Sequence, residues 1–296
     1  MSSKLSSDIG IFFLKIIARF PFWIIYLLSD IFYIVVYYIV GYRKKVVVQN
    51  LQNSFPEKDE VEIQELSKKF FRHFCDLSLE AIKTHGMSES DANKRMIVKN
   101  ADVINRYYDQ GKSVVVLTMH YNSWEWSNII GKHQKHEVLA IYKPMTSLQF
   151  NLFMNKGRER FDVTALKDSH TLRTVFNKKR KNELIFIWLA ADQTPPVFHK
   201  FWMRFLNQDA LFYPGPASIS KRFNYPLFFQ STRKVKRGHY ETSYELLFEN
   251  PAEVSEVEIM KTFVEKMEAL IKEAPEYYLW SHRRWKHKRP SDIPMK

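Results

Sequence analysis

Glycine is scarce in this 296-residue chain: only eight occur, roughly 3% against a usual figure of about 7%. No G-x-G-x-x-G or G-x-x-x-x-G-K pattern is present, which argues against a dinucleotide fold or a P-loop enzyme. Cysteine is scarcer still, because Cys75 stands alone. That excludes an intramolecular disulfide and any cysteine-based zinc site, and fits a domain facing a reducing compartment. Negative charge is short too: 32 Asp and Glu face 45 Lys and Arg, leaving a net charge of +13 and a pI near 9.5. Such an excess implies an anionic partner. What abounds is apolar and aromatic, with 45% hydrophobic residues including 23 Phe, 15 Tyr and 7 Trp. This is enough for a sizeable core in one or two domains. The mean hydropathy of −0.35 argues against a many-pass membrane protein.

The apolar residues concentrate at one end. Ile9 to Tyr42 is almost continuous aliphatic and aromatic sequence, interrupted by Lys15, Arg19 and Asp30. From Phe20 to Tyr42 only Asp30 is charged, and a helix of that length spans about 30 Å of hydrocarbon. A central Asp costs about 2.5–3.5 kcal/mol on insertion. Pro21 and the interrupting charges suit equally two shorter helices lying in the interface, and a buried core helix is a third reading. A cleaved signal peptide is disfavoured, since Lys15 and Arg19 break the early run and no small-residue cleavage site follows. Arg43, Lys44 and Lys45 come next, a cluster that favours an anionic membrane surface and a cytoplasmic face. Residues 1–45 are thus read as a membrane-anchoring helical segment.

Beyond the anchor, Asp59-x-x-Glu62 marks a helix start, and Ile63, Leu66, Phe70, Phe74, Leu77 and Ile82 recur at three- or four-residue steps. The pattern predicts an amphipathic helix of about 24 residues. After a break over Gly86 to Asn93, Ser113–Met119, Glu137–Tyr142, Leu184–Ala190, Pro226–Gln230 and Tyr240–Phe248 read as strands alternating with helical stretches. That grammar predicts an α/β fold, a single catalytic domain (46–296) with a mainly parallel central sheet flanked by helices. Its parts are a helical section (46–100) and an α/β core (101–296), closed by a helix over Val257 to Lys272.

The most informative stretch is the apolar run Val114–Met119 ending at His120, then Tyr121-Asn122-Ser123-Trp124-Glu125. Ligand crevices in open α/β sheets form at the carboxyl ends of strands, where a histidine can serve as general base. Glu125 can meet His120 only if the histidine lies in the turn before a helix. With Asn122 as N-cap, Glu125 then orients the imidazole or stabilises its charge; alternatively Asn122-x-x-Glu125 is simply a capping box. Asp192 and Gln193 end another apolar strand, and Arg158 with Arg160, and Arg283 with Arg284, form two arginine clusters. Together these suit a crevice for an anionic substrate, although each has a plain reading as a helix cap or solvated face. His133-x-x-His136 lacks a third ligand of matching spacing, so no metal site is expected.

The ordered set of motifs resembles the bacterial lipid A biosynthesis late acyltransferases, the lauroyl and myristoyl transferases of the H-x4-D/E acyltransferase superfamily. It runs through the apolar N-terminus, Asn50-Leu51, Phe55-Pro56-Glu57, His120-x4-Glu125, Tyr142-Lys143-Pro144, Gly157-Arg158-Glu159-Arg160, Asp192-Gln193, Gly215-Pro216-Ala217 and the ending Pro275 to Lys286. The departures are Ser123, where Asn is more usual, Lys143 in place of Arg, and Phe205-Leu206-Asn207 in place of a Phe-Phe-Gly turn; they bear on acyl-chain and acceptor preference. The resemblance implies transfer of a fatty acyl chain from acyl-acyl carrier protein to a hydroxyl of a lipid A precursor in lipopolysaccharide biosynthesis. The place is the cytoplasmic side of the bacterial inner membrane. It implies catalytic roles for His120 and Glu125, and substrate-binding roles for Arg158, Arg160, Asp192, Gln193, Arg283 and Arg284. The implied donor, carrier protein, and the implied acceptor are both acidic, and no cofactor is expected.

Two other readings stand beside it: an acyltransferase acting on another membrane acceptor, such as a glycerophospholipid, glycolipid or aminolipid, and a non-catalytic basic membrane-binding protein. No nucleic-acid partner is expected, for lack of any recognised nucleic-acid motif. Deleting the residues before Arg43 is expected to release the protein from membranes in a sedimentation assay. Full pelleting of the truncated form would place the anchor elsewhere.

Overall fold

The computed structural model describes the backbone of residues 2–296 and the side chains of residues 8–296. Helix α1 (Ser2–Ile17) ends before Pro21, whose φ of −62° opens α2 (Phe22–Ile34). The helix continues as a π-turn over Val35–Val40 and stops at Gly41, φ +63°. Helix α3 (Lys44–Ser54) precedes α4 (Glu60–Lys83), whose 24 residues match the predicted length. The expected capping box is formed, the Asp59 carboxylate accepting from the Glu62 N–H and the Glu62 carboxylate from the Asp59 N–H. A short α5 (Glu89–Arg95) occupies part of the expected break, capped by Ser88.

The chain then alternates: β1 (Met96–Val98), α6 (Asp102–Asp109), β2 (Val114–Thr118), β3 (Glu137–Tyr142), α7 (Leu148–Arg158), β4 (Val163–Lys167), α8 (Thr171–Arg180) and β5 (Ile185–Ala190). A hairpin of β6 (Phe201–Phe205) and β7 (Gln208–Phe212) leads to α9 (Gly215–Phe223), β8 (Leu227–Lys236), β9 (His239–Phe248) and α10 (Glu256–Glu273). Seven strands make one sheet in the order β1-β9-β8-β2-β5-β3-β4. The five strands from β8 to β4 run parallel, and β9 is antiparallel to β8. The fold is therefore the expected mainly parallel α/β sheet. All five residues of β2 are buried, because the sheet is covered on both faces. Val115 and Leu117 point to the side of α3, α4 and α10, whereas Val114 and Val116 point to the side of α6. Strand β4 escaped the sequence reading because it is a half-exposed edge strand without an apolar run.

The N-terminal helices are fastened to this domain. Ile25, Ser29, Tyr33, Val36 and Tyr37 are buried on one side of the Phe22–Val40 helix, which passes against α4. Its other side leaves Trp23, Leu27, Ile31, Ile34 and Ile39 exposed. Among the described residues this is the one helix long and apolar enough to cross a membrane. Asp30, the charge inside it, pairs with Arg237 at the tip of the β8–β9 hairpin at 2.7 Å, and the same guanidinium holds Asp76 of α4 at 2.6 Å. Ser29 donates to Asp76 at 2.7 Å and Tyr26 to Glu80 at 3.0 Å. Two of the few glycines lie where these helices press closest. A Cβ at Gly238, φ +70°, would strike the Tyr26 hydroxyl, and one at Gly86 would strike the Ala18 carbonyl.

Arg237→Ala is expected to cost about 3 kcal/mol in chemical denaturation, because it leaves the buried Asp76 carboxylate with only the Ser29 hydroxyl and the more distant Lys234, at 3.9 Å. Asp30→Asn, at the exposed end of the same network, should cost less than about 1 kcal/mol. Equal losses would contradict this division.

Candidate active site

Strands β2 and β5 lie side by side with Thr118 opposite Ala190. Each carries a polar residue two positions past that pair, His120 and Asp192, so equal overhangs bring the two side chains together. Nδ1 of His120 lies 2.7 Å from Oδ1 of Asp192. An ionised carboxylate only accepts, so Nδ1 carries the proton and Nε2 keeps its lone pair. The Gln193 amide donates to that Nε2 at 3.2 Å. Asp192 is 2% exposed and the His120 side chain 20% exposed, so solvent reaches the imidazole but not the carboxylate behind it. Burial opposes charge on His120, yet the charge and hydrogen bond of Asp192, helped by Glu125, outweigh it and lift the imidazole above its ordinary 6.5. Asp192 answers in kind: burial would raise its carboxyl, but the charge and hydrogen bond of His120 hold it below the usual value.

Glu125 takes a different partner from the expected one. Asn122 is not a helix cap: it sits at φ +54°, its N–H donates to the Tyr277 carbonyl and its amide to the Thr232 carbonyl at 2.8 Å. The helix that follows is a 3-10 run over Trp126–His133. Glu125, in the turn before it, forms a bidentate pair with Arg158, Nε to Oε2 at 3.0 Å and Nη2 to Oε1 at 2.5 Å. The carboxylate on the imidazole is therefore Asp192, and Glu125 holds the arginine at the end of α7. The left-handed turn at Asn122 and the direction of α7 decide this, and neither is visible in the H-x4-E spacing. Burial opposes charge on Arg158, but Glu125 more than restores it. The edge of Trp124 packs against the His120 ring, with centroids 5.3 Å apart.

Beneath the loop lies a residue that the sequence reading missed. Glu80 of α4, 0% exposed, accepts from the hydroxyls of Ser123, Tyr26 and Tyr240 at 2.9–3.0 Å, and its carbonyl accepts from the Trp126 indole at 2.8 Å. Burial, then the nearby Asp76 charge, push its carboxyl up to about 7. Ser123, one of the departures from the family pattern, is what reaches it. In the sequence, Glu80 is one more acid on an amphipathic helix, and only a spacing that places it on the buried side signals otherwise.

The basic C-terminus splits into distinct fates. Tyr278 bridges to Tyr121, and the Leu279 N–H donates to the His120 carbonyl at 3.2 Å, so the tail clasps the loop that carries His120. Asn50 donates to the carbonyls of Trp280 and His282 and holds the tail from below. His282 accepts from the Thr194 N–H, and burial above all lowers its pKa to about 4. Arg284 was expected to meet substrate, but it is 1% exposed. Its guanidinium lies over Phe212 at 4.1 Å and donates to the Leu211 carbonyl and the Thr194 hydroxyl. It braces the loop after β5 from within the core. Arg283 is exposed, and Arg160 donates to the carbonyls of His85 and Met87 on the side of α1. His120, Asp192, Gln193, Glu125 and Arg158 thus form the site, and Arg160 and Arg284 are engaged elsewhere. His133 and His136 bond separately, to Asn93 and to the Lys112 carbonyl.

The family model described as bacterial lipid A biosynthesis acyltransferase matches residues 3–287. The lipid A biosynthesis lauroyltransferase of Escherichia coli K12 is 24% identical over 300 residues, covering 97% of this chain and 93% of that protein. The lipid A biosynthesis palmitoleoyltransferase of the same strain is 24% identical over 252 residues, 82% of this chain and 79% of that protein. With a strand-end histidine and its buried acid in place, and a family match over nearly its whole length, the chain belongs to the bacterial lipid A biosynthesis acyltransferases.

Proposed function

We propose that this protein transfers a fatty acyl chain from acyl carrier protein to a hydroxyl of a lipid A precursor, with His120 as general base. The observation that carries the reading is the 2.7 Å contact between His120 Nδ1 and the buried Asp192: an ionised carboxylate there requires the proton on Nδ1 and leaves Nε2, 3.2 Å from the Gln193 amide, as the base. An acceptor hydroxyl takes the place of that amide. As its oxygen attacks the thioester carbon, its proton passes to Nε2, and the buried Asp192 stabilises the imidazolium. The new C–O bond forms, the C–S bond breaks, and the departing thiolate takes the proton back. No covalent enzyme intermediate is needed. Arg158, fixed by Glu125 through Nε and Nη2, keeps Nη1 with only a 3.4 Å contact to Asn155. That group is the candidate donor to the oxyanion or to a substrate phosphate.

Charge and anchor fit the same reading. Carrier protein and lipid A phosphates are acidic, and a +13 chain attracts both. A helix with one side on the domain and the other apolar and exposed suits the interface of the inner membrane, with Arg43 to Lys45 toward its cytoplasmic headgroups.

His120→Ala should lower transfer from acyl carrier protein about 10²–10⁴-fold with folding and membrane association unchanged; turnover at the wild-type rate would contradict the mechanism. The base form of His120 exists only above a pKa lifted past 6.5, so activity should rise with pH through that range. Asp192→Asn leaves burial dominant and should move the acid limb of the pH–rate profile to lower pH while reducing the maximum rate. An unmoved limb would show that Asp192 does not set the charge of His120.

A further inference from the structure

A second basic cluster lies apart from His120, where α1 meets the domain. A cavity of about 500 Å³ is lined there by Lys15, Arg19, His85, Met87 and Arg160 among others. No Asp or Glu lines it among the described residues. The floor is built: Lys83 donates to the Ala18 carbonyl at 3.0 Å, Gly86 admits that carbonyl at close range, and Arg160 clamps the turn through the carbonyls of His85 and Met87. His85 stacks on Phe153 with centroids 3.8 Å apart and stays neutral, its pKa lowered to about 4 by burial and then by the positive charges of Arg160 and Lys15. Three cations lining one cavity with no carboxylate among its lining residues favour an anion there.

The helix that carries Lys15 and leads into Arg19 indicates what carries the anion. At about 100° per residue, Ile11 and Leu14 fall on the side of α1 turned to the domain, and Ile9, Phe12, Phe13 and Ile16 on the exposed side; Ala18, in the turn after the helix, is buried. Lys15 falls on the flank between the two, and Arg19 follows in the turn that ends the helix, its N–H on the Ile16 carbonyl. A cationic flank beside an exposed aromatic and aliphatic face is where a helix lying in a bilayer surface meets headgroup phosphates.

We propose that this cavity binds a phosphate borne by a membrane lipid, held by Lys15 of α1, Arg19 of the turn after it and Arg160 of the domain. Bound there, a phosphate ties α1 to the turn that follows α4. Where that lipid is the acceptor, its phosphate is held at Arg160, two residues along the chain from Arg158 of the proposed active site. The site itself stands on the cavity and on the flank of α1; only its use for the acceptor rests on the acyl-transfer reading.

The test is sedimentation of the full-length protein with phosphatidylcholine vesicles containing one of three additions: a phosphorylated glucosamine disaccharide lipid, the same lipid without phosphate, or phosphatidylglycerol. No acyl donor is present, so failure of the transfer mechanism leaves the result intact. Lys15→Gln with Arg19→Gln should weaken binding to phosphate-bearing vesicles at least about tenfold and leave binding to the dephosphorylated lipid unchanged. A loss confined to the glycolipid identifies the acceptor as the source, and a loss shared with phosphatidylglycerol identifies headgroups in general. Lys261→Gln with Lys288→Gln removes the same charge from exposed positions elsewhere. An equal effect of that pair, or an equal loss with the dephosphorylated lipid, overturns the proposal.

Discussion

The parallel pairing of Val114–Thr118 with Phe186–Ala190 determines how far each chain runs before it leaves the sheet. Because both carry their polar residue two positions past the pair, His120 and Asp192 arrive at hydrogen-bonding distance without any adjustment of the loops. A shift of one residue in that register would move the two side chains apart by more than 3 Å, since a strand advances about 3.3 Å per residue. The tautomer, the raised pKa of the imidazole and the outward lone pair all follow from that alignment. The remaining parts secure it. The tail over Tyr277–Leu279 clasps the loop after β2, and Arg284 braces the loop after β5 from the aromatic core.

A polar seam joins the N-terminal helices to the same loop. Asp30 and Ser29 meet Arg237 and Asp76, and Tyr26 meets Glu80, whose carboxylate also receives Ser123 between His120 and Glu125. A charge that would be costly in hydrocarbon is instead paired with the domain. The helix keeps an apolar face toward its surroundings, and the loop that carries His120 rests two hydrogen bonds away from it. One contiguous set of side chains therefore joins the apolar N-terminal helix to the loop that carries His120.

Local patterns carried the sequence reading a long way. The capping box and period of α4, the apolar runs of β2, β3 and β5, and the span of α10 are each encoded within a few residues, and the structure places them within one or two residues of expectation. His120 at a strand end was legible for the same reason. Its partner was not, because choosing between Glu125 and Asp192 requires knowing that β2 and β5 are neighbours, a fact of strand order. Arg284 misled in the opposite way: a basic run at a terminus reads as surface, and only the tertiary fold shows one member enclosed by Phe205 and Phe212. The turn Leu206-Asn207 shows a milder case. Both residues have positive φ, and Asn207 serves where glycine would be the easier choice.

The scarcity of glycine and the excess of positive charge now have locations. Gly86 and Gly238 stand at two points where the N-terminal helices press on the domain, and the cations gather along α1, after Gly41 and around the site. These features describe an enzyme that works on anionic lipid at a surface. The most direct measurement is mass spectrometry of lipid A from cells lacking the protein and from cells in which it is restored. The account predicts lipid A short of one acyl chain in the first and recovery of that chain in the second. Unchanged lipid A, with the difference appearing in another membrane lipid, would contradict it.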